Sequence, residues 1–420
     1  MKTVVLSAGD ELILGQTVDT NSAWLSAELI LHGGLPLYHK TVGDSVSAIA
    51  EAIREAAGAA DLVIVSGGLG PTADDVTRQA LSMVLGRPLA LDPESLMAIR
   101  RFFEVLGRTM PEPNRIQAMH PEGTRMLPNP WGTAPGIAAE VGDSRVYLLP
   151  GVPREMKGMF QCHVVPWLDG VSGRHIATES LTTFGAGESV VAQALGELMA
   201  RDRNPMVGTT VSGGEVTVRI RSESADRETA LRERDATVEE VRKRLAEWVV
   251  SSGGTGLVEV TIHLARKAGR QVVTAESCTG GWIAKMLTDV PGASDIYRGG
   301  WVVYANALKE SLLGVPRAMI EHDGSVSEAV AAAMAAEALR RSGADYALAV
   351  TGIAGPGGGS DAKPMGTVWI AVAGMDGGTM RTTCRKWVFP GDREMVRLRA
   401  AKTAINMLRL ALLGKGEACA

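Results

Sequence analysis

Residues 275–281, AESCTGG, crowd a hydroxyl, a thiol and two glycines between the strand-like QVVTA and the helix-like WIAKMLTDV. A strand-to-helix turn leaves backbone N–H groups without partners. A nucleophile placed there has donors beside it for the tetrahedral oxyanion of acyl transfer, so amide chemistry becomes plausible. Ser277 or Cys278 could act as that nucleophile, with Thr279 and Gly280 lining the turn. The same residues also suit a plainer role, in which Ser277 or Thr279 caps the helix and Cys278 is a small buried hydrophobe. A serine nucleophile also needs a base. His263 and His322 stand in no motif that ties them to Ser277, and Gly at 280 rules out an SxxK pattern. Two lysines remain: Lys285 in the following helix, where a solvated position is expected, and Lys309, just after Tyr304 and Asn306 at the end of WVVYAN. Either would need burial or a neighbouring cation to lower its pKa.

Two further segments offer places for an anion. TGIAGPGGGSD, residues 351–361, follows the strand-like DYALAV, and the backbone around Thr351, Gly352 and Gly355 could wrap a phosphate. The alternative is a long hairpin loop before GTVWIAVA. FPGDRE places Arg393 at the start of the last helix, where a cation and free N–H groups could meet the same anion. Arg397, one turn later, competes for that role.

In the N-terminal part, DLVIVSGGLGPTADDVTRQALSMVL reads as strand, glycine loop and helix, with Gly67, Gly68 and Gly70 in the loop and Thr72 at the helix entrance. This is an anion-site arrangement without the GxxxxGK[ST] of a P-loop. Asp74 and Asp75 would repel a phosphate unless a divalent cation lay between them. In the plainer reading Thr72 caps the helix and both carboxylates favour its dipole. Asp10, Glu11 and Asp19, in GDELILGQTVDTN after the first strand, could converge on the same edge of a parallel sheet, where ligands bind.

The elements that must position these residues form three segments. At 420 residues the chain exceeds what one core usually serves. From 1 to 169, strand-like KTVVLSA, DLVIVSGG and VYLLP alternate with helix-like SAWLSAELILHGG and Val46–Ala57, which predicts a parallel α/β layer closed by VYLLP. Residues 170–250 carry the alternating strand EVTVRIRSES and a helix of mixed charge. SSGGTG, 251–256, has linker composition, and 257–420 intermixes strands and helices as a mixed-sheet α/β or α+β domain.

The net charge of −4, with Lys and Arg dispersed, predicts no nucleic-acid footprint. Cys162, Cys278, Cys384 and Cys419 form neither CxxC pairs nor a disulfide framework, which fits a reducing cytoplasm. The start MKTVVLSAGD reads as a strand and not as a signal peptide, and no window has the length of a membrane span.

AESCTGG, GASDIYRGGWVVYANALKESLLGV, HDGSVSE, DYALAVTGIAGPGGG and GTVWIAVA together resemble the CinA family, whose C-terminal domain is a nicotinamide mononucleotide deamidase that needs no cofactor. The resemblance implies Ser277 as nucleophile and Lys309 as general base. It also puts Tyr304, Ser294 and Arg393 at supporting or substrate-binding positions. GDELILGQTVDTN, VSGGLGPTADDVT, NPWGTAPG and LPGVPREM resemble the family's molybdopterin-binding-like N-terminal domain. That domain is associated with ADP-ribose pyrophosphatase activity dependent on a divalent metal, with Asp10, Asp74 and Asp75 as metal or phosphate residues. The middle segment is similar to the family's KH-like insertion but lacks the GxxG clamp of RNA-binding KH domains, which implies a structural or homodimer-forming role. The expectation is therefore a two-activity enzyme acting on small nucleotides. The competing expectations are a nucleotide- or pterin-binding regulator linked to competence and a molybdopterin-cofactor enzyme.

Overall fold

The computed structural model describes residues 1–171, 173 and 175–415. The chain separates into two compact units, Met1–Ala177 with Ser222–Arg232, and Thr178–Arg221 with Glu233–Ala420.

In the first unit, Lys2–Ala8 and Leu62–Ser66 are runs of Val, Leu and Ile because both faces of their sheet are covered. Val4, Leu6, Val63 and Val65 pack against Ile49 and Ile53 of the helix Val46–Ala59. Val5, Leu62, Ile64 and Tyr147 pack on the other side against Leu25 and Leu29 of the helix Thr20–Leu31. The sheet runs Leu35–Val42, Lys2–Ala8, Leu62–Ser66, Ser144–Leu149, Gly136–Val141, Arg125–Leu127. The first four strands are parallel and the last two antiparallel. VYLL therefore does not close the layer. It lies inside the sheet, because the Gly-Asp turn at 142–143 folds Gly136–Val141 back along its outer side.

The four-stranded sheet of the middle segment runs Met206–Ser212, Glu215–Ser224, His175–Phe184, Val249–Ser252. Ser251 and Ser252 pair with Thr182 and Leu181, so the expected linker 251–256 is strand in its first two positions. The remainder is a held turn: Gly253 N–H donates to Glu179 Oε1 at 2.8 Å and Gly254 N–H to Ser180 O at 3.3 Å. The C-terminal segment, which shares the second unit with most of this sheet, carries five strands in the order Tyr297–Val302, Val272–Glu276, Tyr346–Gly352, Thr367–Asp376, Thr379–Val388. The first three are parallel and the last two return antiparallel. Helices Leu257–Lys267 and Arg393–Leu412 cover one face, and the Ala-rich helix Glu328–Ser342 covers the other. Glu215 joins these two parts. One of its carboxylate oxygens pairs with Lys402 of the long helix, and the other accepts Leu257 N–H at 3.1 Å.

Among the described residues no helix is long and apolar enough to cross a membrane. Cys162, Cys278 and Cys384 are free thiols, and Cys419 lies outside the described residues.

Candidate active site

The central strand Val272–Glu276 ends between two parallel neighbours, and the chain turns there through residues 277–281 into the helix Trp282–Thr288. Ser277 N–H donates to Val350 O of the adjacent strand at 2.9 Å, and Ser277 O accepts Gly280 N–H at 3.0 Å. The helix N-cap is Gly281, in the left-handed region at φ 89°, with no side-chain cap. Neither Ser277 nor Thr279 caps this helix. Glu276 does that work instead: fully buried, it accepts Ile283 N–H at 3.1 Å and Ala284 N–H at 2.9 Å. Its carboxylate answers the helix N-terminus, where negative charge is favoured. Sequence reasoning gave Glu276 no role, although an acidic residue shortly before a helix start is a recognisable signal.

With Glu276 in that place, the hydroxyl of Ser277 is free of structural duty. Among the described residues the N–H groups of Thr279 and Gly281 donate to no acceptor, so two donors remain around the turn for an oxyanion. The adjacent thiol is placed differently. Cys278 is 5% exposed, belongs to the apolar core with Leu257, Ile283 and Val396, and burial pushes its thiol up to about 12. A thiol so held is not a thiolate near neutral pH and is a poor nucleophile.

Lys309 comes from the turn after Tyr297–Val302, at the start of a π-helical stretch, Lys309–Leu313. Its side chain is 1% exposed, and Nζ donates to Asn306 Oδ1 at 3.2 Å. Among the described residues no carboxylate pairs with it. Burial therefore lowers its pKa, opposed only by its charge interaction with the neighbouring Cys278. Lys285 is instead exposed and paired with Asp289 at 2.5 Å. Burial thus distinguishes the two lysines left open by spacing.

The two arginines also divide. Arg397 Nε donates to Cys278 O at 3.1 Å and Nη2 to Thr279 O at 2.7 Å, with the guanidinium 4.9 Å from the Trp282 ring centroid. It fixes the turn from behind, and Gly280, at φ 60°, leaves room for it, since a Cβ there would stand 3.3 Å from Nη2. Arg393 is exposed; it donates to Gly355 O at 2.7 Å and to the Tyr304 hydroxyl at 2.8 Å. Arg393 and Tyr304, with the loop carbonyl, thus form a polar rim. The free N–H groups expected at the start of this helix are partly taken: the N-cap Asp392 accepts Met395 N–H at 2.8 Å.

Other expected contacts fall elsewhere. The Thr351 hydroxyl donates to Ser325 O at 2.7 Å, and a Cβ on Gly352 would meet Val368 and the Thr367 carbonyl. The Thr351 hydroxyl is thus tied to the segment before helix Glu328–Ser342, Gly352 packs closely on the returning strand, and Gly355 offers Arg393 a carbonyl. Thr279 Oγ1 is fully buried and has no partner among the described residues. Ser294 lies in the turn Ala293–Asp295 before Tyr297–Val302, at the strand-start edge of the parallel sheet, whereas Ser277 lies at the strand-end edge. About five residues of strand, on the order of 16 Å, separate the two edges, so Ser294 is not part of this site.

In the first unit the glycine loop is held from within. A Cβ on Gly67 would stand 2.3 Å from Ala8 O, and one on Gly68 would stand 2.1 Å from Thr77 Oγ1. Asp75 turns inward and accepts Gly70 N–H at 2.7 Å, Thr72 N–H at 2.9 Å and the Thr72 hydroxyl. Asp75 therefore braces the loop. Thr72 does not cap the helix, which begins later at Thr77. Arg78, 1% exposed, donates to Leu69 O at 2.5 Å and Gly70 O at 3.2 Å; burial lowers its pKa to about 10. Asp19 caps the helix Thr20–Leu31 through Ser22 N–H at 2.9 Å.

The carboxylate that joins this edge is Asp44, which sequence reasoning missed. Asp10 and Asp44 each accept the other's backbone N–H, at 3.1 and 3.0 Å. Burial, and then the nearby Asp10, Glu11 and Asp74 carboxylates, push the Asp44 carboxyl up. Among the described residues no three His, Cys, Asp or Glu side chains converge as a ready metal cage. A groove of about 470 Å³ opens beside Thr72, with Glu112 and Arg115 on its wall.

Three stretches of the chain match known domain families: residues 4–170 the "Probable molybdopterin binding domain", 178–251 the "Damage-inducible protein CinA KH domain", and 255–412 the "CinA C-terminal domain". A CinA-like protein of Geobacter metallireducens is 42% identical over 417 residues, covering 98% of this chain and 100% of that one. The chain belongs to the CinA family. Another CinA-like protein, from Dictyoglomus thermophilum, is 40% identical over 98% of this chain and 100% of its own length. A Symbiobacterium thermophilum relative named for competence-damage induction is 43% identical over 97% of each chain. Among solved structures, a CinA protein of Thermoplasma acidophilum is 36% identical over 38% of this chain and 94% of its own, with a TM-score of 0.36.

Proposed function

We propose that the C-terminal domain of this CinA-family chain is a serine/lysine amidohydrolase that converts nicotinamide mononucleotide and water to nicotinic acid mononucleotide and ammonia. The observation that carries the reading is Lys309, a buried amine with no acidic partner, next to a turn whose serine is free and whose N–H groups are unspent. Neutral Lys309 takes the proton of Ser277 Oγ as the oxygen attacks the carboxamide carbon. The N–H groups of the turn bind the oxyanion, and the protonated lysine returns its proton to the departing ammonia. Water then adds to the ester with the same base, freeing the carboxylate and Ser277. The substrate follows from the family resemblance, with the nucleotide phosphate expected at the Arg393 and Tyr304 rim.

The test is ammonia release from nicotinamide mononucleotide by the full chain. Cys278→Ala is expected to keep the rate within about threefold, since it removes a buried thiol that takes no part. Loss of turnover in a folded Cys278→Ala protein would transfer the nucleophile to the thiol.

A second reading concerns the first unit, where the crowding of Asp10, Glu11, Asp44 and Asp74 favours a counter-cation. Hard divalent ions often keep only one or two carboxylates and complete their shell with substrate phosphates and water, so the lack of a preformed cage is compatible with one. Asp10, Asp44 and Asp74 would hold it, and it would supply charge neutralisation for a phosphate anhydride. Hydrolysis of ADP-ribose to AMP and ribose 5-phosphate by the full chain is expected to require added divalent metal and to fall at least about tenfold in Asp74→Ala. Tight binding of ADP-ribose without turnover would make this unit a nucleotide-binding module instead.

A further inference from the structure

The first unit contains a second cavity, away from the glycine loop. It has a volume of about 490 Å³ and is walled by residues of the strands Arg125–Leu127 and Ser144–Leu149 and of the chain segment 162–167. Strand Ser144–Leu149 runs toward the glycine loop, with Leu149 O accepting Gly67 N–H, so Arg145 at its other end faces away from the carboxylate edge.

The cavity is basic. Arg125, Arg145 and His163 line it, and no Asp or Glu does. Arg145 uses Nη1 on the exposed Glu140 at 3.0 Å, a pair that water screens. Its Nε is buried and has no partner among the described residues, so the Nε edge of the guanidinium, the edge that takes a carboxylate or phosphate in a two-point grip, is unpaired. The Tyr147 ring, 5.4 Å from the Arg145 guanidinium carbon, steadies that orientation. Tyr147 is itself fully buried, and its hydroxyl has no partner among the described residues. A buried phenol without a hydrogen bond is costly, so its presence in a cavity wall points to a partner from outside the chain. Trp167, edge-on to Tyr147 at 6.2 Å between ring centroids, and Pro166 supply an apolar side for a flat body.

We infer that this cavity binds a small organic anion, with its carboxylate or phosphate gripped by Arg145, Arg125 and the Tyr147 hydroxyl and its ring against Trp167. The volume suits a molecule of one or two rings. The site is independent of the amidohydrolase reading, because none of its residues belongs to that domain.

Calorimetric titration of the full chain with benzoate, phenyl phosphate, inorganic phosphate and benzyl alcohol tests it. Saturable binding of benzoate or phenyl phosphate is expected, at least about tenfold tighter than benzyl alcohol. The preferred anion identifies the group, and the comparison of phenyl phosphate with inorganic phosphate isolates the ring. Arg125→Gln, at an exposed position that does not threaten folding, and Tyr147→Phe, which keeps the ring, are each expected to weaken binding about tenfold. Unchanged affinity in both variants, no anion binding, or no preference of the anions over benzyl alcohol would overturn the proposal. A rise in Tm for Tyr147→Phe with unaltered affinity would likewise show that the hydroxyl has no ligand role.

Discussion

Ser277→Ala is expected to lower ammonia release from nicotinamide mononucleotide by at least about 10⁴-fold while leaving the fold intact. The change removes one oxygen from a side chain whose backbone does the structural work: its N–H is bound to Val350 O and its carbonyl to Gly280 N–H, and alanine keeps both bonds. The cap of the following helix belongs to Glu276, so the hydroxyl leaves no orphan behind. Stability is expected within about 0.5 kcal/mol of wild type by denaturant titration, well inside the range for a site without a structural partner. The N–H groups of the turn survive in the variant, so any remaining rate reports what oxyanion binding achieves without a nucleophile.

Lys309→Met is expected to abolish turnover and to stabilise the protein. A buried amine without a carboxylate partner binds its proton less well in the folded chain than in the unfolded one. The sign follows from linkage. Above pH 10.5, the ordinary lysine pKa, the amine is neutral in both states and carries no penalty. As pH falls below that value, the unfolded chain gains a proton that the folded chain does not yet accept, so wild type loses stability until the lowered folded pKa is reached, and the loss is constant below it. Each tenfold depression of proton affinity corresponds to about 1.4 kcal/mol, which methionine recovers at neutral pH along with a better-matched apolar contact. The same depression sets the rate profile. Activity rises with pH as Lys309 deprotonates and levels off at a pH below that expected for an ordinary lysine of pKa 10.5. Lys309→Arg keeps a cation that cannot act as base and is expected to be as inactive as methionine without the gain in stability.

Much of the C-terminal fold was legible in its residues. QVVTA, DYALAV and GTVWIAVA are apolar runs bounded by Gly, and they form the three adjacent strands of the sheet centre. AESCTGG could be placed at a strand end for the same reason. The choice between Ser277 and Cys278 was not legible, because it depends on which side chain turns into the core. The choice between Lys309 and Lys285 depends on burial in the same way, since Lys309 reaches the turn across a neighbouring parallel strand. Ser294, which the family resemblance offered, lies at the far edge because the chain runs down the helix Trp282–Thr288 before it returns.

In the first unit, the brace at Asp75 and the edge carboxylate Asp44 were hidden for a related reason. A carboxylate beside a glycine loop reads as ligand-facing, but Asp75 is turned inward by Gly70 and Thr72. Asp44 follows the strand Leu35–Val42, whose mixed LPLYHKTV gives no apolar run, so its position at the sheet edge could not be inferred. Arg78 and Glu276 were passed over because burial of a charged side chain is not visible in the sequence, whereas both are buried and spend their charge on backbone groups.

The most direct test of the account is rapid-quench mass spectrometry of the full chain mixed with nicotinamide mononucleotide. The proposed reaction predicts a transient ester on the peptide carrying Ser277, with the mass of the substrate less ammonia, formed with the first equivalent of ammonia and absent from Ser277→Ala and Lys309→Met. An adduct on Cys278, or full turnover in Ser277→Ala, would contradict it.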